Sequence, residues 1–170
     1  MKFNNRGLFI SFEGPEASGK STQIKHLKKF LKNKNIPFII TREPGGTPVS
    51  EKLRKIILDK KRLISTTEEI LLLMSSRLNH INRVIKPALN NGKIVITDRF
   101  ADSTFVYQGF VNNLGLKKAI KLHKQLLYNF LPDKTFLFLT SPQEILKRIK
   151  SRKKLNKYDI DDLKFHKKII

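Results

Sequence analysis

One eight-residue stretch near the N-terminus constrains the fold of this chain more than any other feature. Residues Gly14–Ser21 fit the pattern G-x-x-x-x-G-K-[ST], which is typical of loops that bind phosphate groups. An apolar run at Leu8–Phe12 precedes the loop, and a pattern of helical spacing follows it. Because this loop chemistry needs a strand before it and a helix after it, the flanking patterns favour a phosphate-binding loop over a chance glycine-rich turn.

The residue types in this loop indicate how ATP phosphates would be held. Glycines let successive backbone N–H groups turn towards phosphate oxygens, and the helix N-terminus adds a partial positive charge. Lys20 is expected to reach the outer phosphates, and the Ser21 hydroxyl to bind the Mg²⁺ that accompanies ATP. The predicted phosphate site therefore consists of Gly14, Pro15, Glu16, Ala17, Ser18, Gly19, Lys20 and Ser21.

The length and composition of the chain favour one soluble domain over residues 1–170. The chain has 170 residues, 39% of them hydrophobic and 29% charged, and it contains no cysteine. The lack of cysteine excludes disulfides, thiolate metal sites and cysteine nucleophiles. No apolar run reaches the length of a membrane span, and the first residues lack a signal-peptide pattern, so we expect a cytoplasmic protein with no membrane partner.

A formal net charge of +21 raises the alternative of a nucleic-acid-binding protein. The excess is mostly lysine, with Lys28, Lys29, Lys32 and Lys34 on the predicted solvent side of the first helix. A solvated lysine face explains this pattern better than a nucleic-acid site, and part of the charge would also steer a nucleotide substrate. We therefore expect nucleic acid not to be the main partner.

Strand-like and helix-like segments alternate along the chain, which predicts an α/β fold with a parallel sheet flanked by helices on both faces. The expected strands cover about residues 8–13, 38–41, 93–97 and 135–139, and the expected helices include 19–33, 116–130, 160–169 and a long helix that opens at 66 or 67 and runs up to Pro87. A further helical stretch begins at Asp102. The first helix is expected to turn one face inward, formed by Ile24, Leu27, Phe30 and Leu31.

Polar residues follow two of the expected strands at the point where each strand ends. Arg42 and Glu43 follow the second strand, and Asp98 and Arg99 follow the third. Ligands of open parallel sheets gather at these carboxyl ends, so both pairs should lie near the phosphate loop. Arginine is a planar clamp for phosphate, which makes Arg99 a candidate to bridge donor and acceptor phosphates. Asp98 could orient waters on Mg²⁺, hold an arginine or cap a helix.

Four stretches together resemble bacterial thymidylate kinases (dTMP kinases), of the nucleoside monophosphate kinase group. They are the loop at Gly14–Ser21, Thr41–Thr47, Asp98–Phe100 and Asp102–Gly109, and the resemblance extends over nearly the whole chain. It implies a P-loop kinase fold that transfers a phosphoryl group from ATP to dTMP with Mg²⁺, and a homodimer built through long apolar helices.

The resemblance also implies roles for individual residues. Arg54 and Arg99 look like clamps on the acceptor phosphate, and Arg77 looks like the side chain that reads the thymine edge, with Gln108 as its partner. The remaining implied substrate-binding residues are Glu16, Arg42, Glu43, Leu73, Ser103, Thr104 and Tyr107. Without the resemblance, Arg54 and Arg77 would be read as surface residues and Tyr107 as a core aromatic.

Two departures from the family pattern are visible. The family usually has an aromatic residue at the position of Leu73, so weaker stacking on the base is expected here. Family members also continue with another strand and helix, whereas this sequence stops at Ile170, so we expect either a C-terminally short fold or a C-terminal part that lies beyond this sequence.

The resemblance places a basic lid at about residues 148–160, because the phosphate loop itself contains no arginine. Arg152 is the expected catalytic cation of this lid, with Arg148, Lys153 and Lys157 as alternatives. Two other functions stay open on the sequence alone: a kinase of another nucleoside monophosphate or small phosphate acceptor, and a decayed P-loop protein that binds nucleic acid.

Overall fold

The sheet at the centre of the molecule is built from four parallel strands, as the alternating pattern predicts. The computed structural model describes residues 6–59, 61, 63–151, 157–159 and 163–169. The strands are β1 (Phe9–Glu13), β2 (Phe38–Arg42), β3 (Ile94–Asp98) and β4 (Lys134–Leu137). Their order across the sheet is β2-β3-β1-β4, with Phe9 opposite Val95 and Phe38 opposite Ile94. The carboxyl ends of β1 and β3 are therefore direct neighbours.

Helices lie on both faces of the sheet. They are α1 (Lys20–Asn33), α2 (Pro48–Leu58), α3 (Thr66–His80), α4 (Lys86–Asn90), α5 (Ala101–Thr104), α6 (Leu116–Leu127), α7 (Pro142–Lys150) and α8 (Leu163–Ile169). Two π-helical segments, Ile81–Ile85 and Phe105–Val111, continue α3 and α5, and a 3₁₀ turn covers Lys157–Asp159. None of the helices in the described ranges is long and apolar enough to cross a membrane.

The period-2 pattern of the strands divides the core into two clusters. Phe9 and Val95 pack on one face of the sheet against α3, α4 and the π-helical segment between them. Ile10, Phe12 and Ile96 pack on the other face against α1. Phe30 does not belong to the inward face of α1, contrary to the sequence expectation, and is 55% exposed. Its position is about 100° around the helix from Leu31, which turns it out to solvent.

Three expected element bounds were wrong for identifiable reasons. The fourth strand ends at Leu137 because the β1 backbone turns away at Gly14, and Phe138 N–H makes the last bond, to Glu13 O. Helix α6 ends at Leu127, since Tyr128 and Asn129 adopt left-handed backbone angles. The long helix from 66 widens into the π-helical segment before Pro87, which has no N–H to continue the α-helical bonds.

Candidate functional site

The phosphate loop lies between β1 and α1, where the sequence pattern placed it. Gly14 and Gly19 have φ angles of 137° and 101°, in the region that favours glycine, and Ala17 between them has a φ of 57°. A Cβ on Gly14 would lie 2.3 Å from the carbonyl oxygen of Phe138, so the backbone just after β4 approaches the loop too closely for any side chain there. The backbone is thus folded into a cradle over the N-terminus of α1.

Lys20 is held inside this cradle. Its ammonium donates hydrogen bonds to the carbonyl oxygens of Gly14 at 2.9 Å and Pro15 at 2.6 Å. Burial lowers the pKa of Lys20 to about 8, and the positive charge of Arg99 acts in the same direction. The carboxylates of Asp98 and Glu16 oppose the shift. An ammonium in this environment gains from an anionic partner, because added negative charge favours its protonated form.

Arg99 extends from the end of β3 over the loop. Its guanidinium donates to the carbonyl oxygen of Gly14 at 2.8 Å, to Ser103 Oγ at 3.0 Å and to Glu16 Oε1 at 2.5 Å. Glu16 also accepts a short hydrogen bond from the Tyr107 hydroxyl. One carboxylate inside the phosphate loop therefore ties together the arginine of β3 and the tyrosine of the following helical segment.

Glu13, the last residue of β1, holds the backbone behind Arg99. Its carboxylate accepts the N–H of Phe100 and the hydroxyl of Ser103, both at 2.6 Å. The side chain is fully enclosed, and this burial raises the pKa of Glu13 above its ordinary value. Glu13 was not among the residues predicted from the sequence. The residues next to a carboxylate at the end of a strand do not show whether it supports the backbone or binds a ligand.

Asp98 and Ser21 meet beside the loop. The Ser21 hydroxyl donates to Asp98 Oδ2 at 3.3 Å, on an exposed part of the surface. A hydroxyl and a carboxylate are oxygen ligands of the kind that Mg²⁺ prefers, and its remaining positions are commonly filled by phosphate and water. Within the described part of the chain, no three His, Cys, Asp or Glu side chains form a metal cluster.

Two cavities open from this region. The loop cavity lies over the phosphate loop and is lined by residues 16–23 with Asp98, Arg99, Phe138, Arg148 and Ser151. The inner cavity lies deeper, between α3 and the segment after β3, and is lined by Glu16, Glu43, Pro44, Ile57, Leu73, Arg77, Arg99, Phe100, Ser103, Thr104, Tyr107, Gln108 and Tyr158. Glu16 and Arg99 belong to both linings, so the two cavities adjoin at this ion pair.

Arg77 enters the inner cavity from α3 and is 2% exposed. Its Nε donates to Glu43 Oε2 at 2.5 Å, and its Nη2 donates to the Phe100 carbonyl oxygen and to Thr104 Oγ1. Its Nη1 is buried and finds no hydrogen-bond partner among the described residues. A buried unpaired donor is costly, so this nitrogen is suited to a carbonyl oxygen of a ligand.

Glu43 is shared between Arg77 and a histidine that the sequence analysis did not select. His80 Nδ1 lies 3.0 Å from Glu43 Oε1, and its Nε2 lies 2.6 Å from Thr41 Oγ1. The histidine is fully buried. Its side chain links α3 to the end of β2 and thereby holds Glu43 against Arg77.

Two residues that line the inner cavity, Gln108 and Tyr158, both form hydrogen bonds with Glu69. Gln108 Nε2 donates to Glu69 Oε1 at 2.7 Å and to the Tyr158 hydroxyl at 3.2 Å. The Tyr158 ring also packs edge-on against Tyr107, at 5.0 Å between ring centroids. Glu69 and Tyr158 were not predicted, because they meet Gln108 only through contacts between distant segments.

The structure brings most of the predicted residues to these two cavities, but not all. Arg42 lines neither cavity and pairs with Glu51 at 2.9 Å. Arg54 donates to the Pro44 carbonyl oxygen at 2.6 Å and lines neither cavity. Arg152 and Lys153 lie outside the described residues, as does the side chain of Lys157. Among the described lid residues, Arg148 reaches the loop and donates to the Ala17 carbonyl oxygen at 3.0 Å.

Comparison with known proteins places this architecture in one family. The family model described as thymidylate kinase matches residues 12–170. The chain is 45% identical over 164 residues to a thymidylate kinase of Rickettsia africae, covering 96% of this chain and 80% of that protein. It is 43% identical to a thymidylate kinase of Caldanaerobacter subterraneus, with coverage of 96% and 78%.

A solved structure shows the same similarity in three dimensions. The crystal structure of a thymidylate kinase from Ehrlichia chaffeensis superposes with a TM-score of 0.70 and 36% sequence identity. The match covers 78% of this chain and 75% of that one. With a family model that matches nearly the whole sequence, these similarities establish that the chain belongs to the thymidylate kinase family.

Proposed function

We propose that this protein transfers the γ-phosphoryl group of ATP to dTMP, giving ADP and dTDP. The observation that carries the proposal is that a phosphate-loop cavity and a polar inner cavity adjoin at Arg99 and Glu16. Phosphoryl transfer needs two phosphate groups held in line with their charge neutralised, and this junction offers that arrangement. Membership of the thymidylate kinase family supports the same reaction.

The loop cavity would hold the ATP phosphates. Backbone N–H groups from Gly14 to Ser21 and the N-terminus of α1 would contact the phosphate oxygens. Lys20 would exchange its bonds to loop carbonyl oxygens for contacts to the outer phosphates. Because the pKa of Lys20 is lowered to about 8, bound phosphates would restore its full charge.

Arg99 would neutralise charge at the reacting centre. In the proposed step, an oxygen of the dTMP phosphate forms a bond to the γ-phosphorus, and the bond from that phosphorus to the bridging oxygen of ADP breaks. The guanidinium of Arg99 lies at the junction where these two groups would meet. Its planar pair of donors would contact both, and Glu16 would keep it in place.

Mg²⁺ is expected with ATP, and the Ser21–Asp98 pair fits it. Bound there, the ion would neutralise phosphate charge during transfer. The Ser21 hydroxyl would be a direct ligand, and Asp98 would accept hydrogen bonds from water in its surroundings. Asp98 thus has a role in orientation rather than in accepting a proton.

The inner cavity would hold dTMP with its phosphate towards Arg99 and its base towards Gln108. The unpaired Nη1 of Arg77 is a donor for a base carbonyl oxygen. Leu73 would give apolar contact to the ring in place of an aromatic partner, and Ser103 and Thr104 would form the wall beside it. The Tyr107 hydroxyl, fixed by Glu16, would limit the space near the sugar.

The lid would supply a further cation to the loop. Arg148 already contacts the loop backbone and lines the loop cavity. Arg152, four residues after Arg148 in the sequence, remains the proposed catalytic lid residue from the sequence pattern. We further propose a homodimer, and action in the cytoplasm, where ATP and nucleoside monophosphates are available together.

The decisive experiment is a steady-state assay of ADP formation with purified protein, ATP, Mg²⁺ and a panel of nucleoside monophosphates. We expect dTMP to be the preferred acceptor. Replacing Lys20 by alanine should lower kcat at least about a hundredfold, because an electrostatic contact to the transferring group is lost. Lys29→Ala, on the exposed side of the same helix, is the matched control and should keep wild-type rates. Turnover of AMP, GMP or CMP without turnover of dTMP would contradict the proposal.

A further inference from the structure

Glu69, Gln108 and Tyr158 form a closed ring of hydrogen bonds at the base end of the inner cavity. Gln108 Nε2 donates to Glu69 Oε1 at 2.7 Å and to the Tyr158 oxygen at 3.2 Å. The Tyr158 hydroxyl in turn donates to Glu69 Oε1 at 2.5 Å. Glu69 and Gln108 are 1% and 2% exposed, so water does not compete for the bond between these two side chains.

This ring determines which end of the Gln108 amide faces the carboxylate. An amide nitrogen carries two hydrogens, and here one goes to Glu69 and the other to Tyr158. The single hydroxyl hydrogen of Tyr158 is donated to Glu69, and the same Tyr158 oxygen accepts a hydrogen bond from Gln108. A reversed amide would place its oxygen against the carboxylate oxygen of Glu69, which is repulsive in a buried site.

The fixed amide leaves the Gln108 carbonyl oxygen for the inner cavity. None of the hydrogen bonds between Gln108 and other described residues uses this oxygen. Arg77 presents the opposite character in the same cavity, because its buried Nη1 is an unpaired donor. The cavity therefore offers a donor from Arg77 and an acceptor from Gln108.

That pair of groups matches the edge of a base with a carbonyl next to an N–H. Thymine and uracil have this edge, with the C4 carbonyl beside N3–H. Cytosine has the reverse pattern, an amino group beside an unprotonated N3. A site with buried polar groups discriminates strongly against a ligand that leaves them unpaired.

We propose that Glu69, assisted by Tyr158, is a positioning residue for base selection: it fixes the Gln108 amide so that the site accepts thymine and uracil and rejects cytosine. This inference rests on the proposed function, since it takes the inner cavity as the acceptor site. Glu69 acts through Gln108. A purely structural glutamate would support the fold equally for every substrate, whereas a positioning residue changes the ratio between bases.

The test compares kcat/KM for dTMP, dUMP and dCMP in Glu69→Gln, Glu69→Met and Tyr158→Phe. The Gln variant keeps the shape of the side chain and adds donors, while the Met variant removes both oxygens. Glu68→Gln is the matched control, because it makes the same chemical change one residue earlier. Glu68 lies in the exposed capping box of α3, where glutamine also serves.

We expect both Glu69 variants to lower the ratio of kcat/KM for dTMP over dCMP by about tenfold, mainly through KM for dTMP. The ratio of dTMP to dUMP should stay unchanged, because the two bases share this edge. Tyr158→Phe should give a smaller change in the same direction, since Glu69 still holds one amide hydrogen. Glu68→Gln should leave all three substrates as in the wild type.

A dTMP to dCMP ratio within about twofold of wild type in a folded Glu69→Met protein overturns the inference. Circular dichroism and thermal melting establish which variants are folded. If neither Glu69 variant folds, Tyr158→Phe decides, and an unchanged ratio there also overturns it. Wild-type protein that does not use dTMP overturns both proposals, whereas normal wild-type activity with insensitive variants overturns this one alone.

Discussion

Arg99 occupies a backbone conformation that arginine seldom adopts. Its φ of 70° costs roughly 1–2 kcal/mol for a residue with a Cβ. The conformation is held from both sides, since the Thr97 hydroxyl donates to the Arg99 carbonyl oxygen at 2.8 Å and Glu13 accepts the next N–H. The side chain is thereby directed over the loop.

Arg99→Lys tests this residue at constant charge. We expect kcat with dTMP to fall about a hundredfold, because an ammonium cannot reproduce the planar set of donors at the junction of the cavities. Initial-rate measurements at saturating ATP and dTMP give the change in kcat. Arg83→Lys, at an exposed position, is the control and should keep the wild-type kcat. A loss of less than about threefold in Arg99→Lys would show that charge alone is sufficient.

At the scale of elements, α3 contributes one stripe of side chains to the inner cavity and its support. Glu69, Leu73, Arg77 and His80 follow each other at spacings of four, four and three, which places them on one face. The same face carries apolar and charged groups, and all four side chains are buried. An apolar moment alone therefore does not identify the functional face of this helix.

Helix α6 carries a histidine whose burial links stability to pH. His123 is 1% exposed, and its Nε2–H donates to the Phe130 carbonyl oxygen at 3.0 Å. Its Nδ1 is buried without a partner among the described residues, and Phe105 packs edge-on against the ring. Burial lowers the pKa of His123 to about 4, with a smaller contribution from Arg77 in the same direction. The native state therefore holds the neutral ring.

Acidification should weaken the protein through this residue. Between about pH 6.5 and 4 the unfolded chain binds a proton at His123 that the native state does not bind. The free energy of unfolding therefore falls as pH falls. The full effect is up to about 3 kcal/mol. We expect urea titrations to show a stability advantage of wild type over His123→Gln at pH 7 that shrinks steadily towards pH 4.5. A difference independent of pH would refute the assignment.

At the scale of the whole molecule, the strand order creates the junction between the cavities. β1 and β3 are neighbours, so the loop after β1 and the Asp98–Arg99 pair at the end of β3 lie side by side. The chain transfers phosphoryl groups from ATP to dTMP as a member of the thymidylate kinase family, and this edge of the sheet is where its proposed site lies. The net charge of +21 favours the approach of anionic substrates such as nucleotides.

The proposed homodimer makes a prediction about molecular mass. Leu71 and Leu78 lie two turns apart on α3 and are 51% and 38% exposed, which suits them to an interface between copies. We expect light scattering after size exclusion to give twice the chain mass of 19.8 kDa. The double change Leu71→Glu and Leu78→Glu should give the monomer, while Leu63→Glu, on a fully exposed residue, should not. A wild-type monomer at micromolar concentration would exclude the dimer.

The sequence alone determined the features that depend on neighbours along the chain. Local spacing predicts the phosphate loop at Gly14–Ser21, the four parallel strands and the Asp98–Arg99 pair at the end of β3. The family resemblance correctly pointed to the thymidylate kinases. The roles assigned to single residues remain predictions. Arg42 and Arg54 line neither cavity, because Arg42 pairs with Glu51 and Arg54 donates to the Pro44 carbonyl oxygen.

Only the tertiary structure decided which buried polar groups face each other. Glu43 meets His80 across 37 residues, and Gln108 meets Glu69 and Tyr158 across 39 and 50 residues. Periodicity identifies the buried face of a helix but not the group that lies opposite it. A buried donor or acceptor is stable only when a partner from a distant segment satisfies it. The direction of the Gln108 amide, and with it the proposed choice of base, is therefore a property of the folded chain.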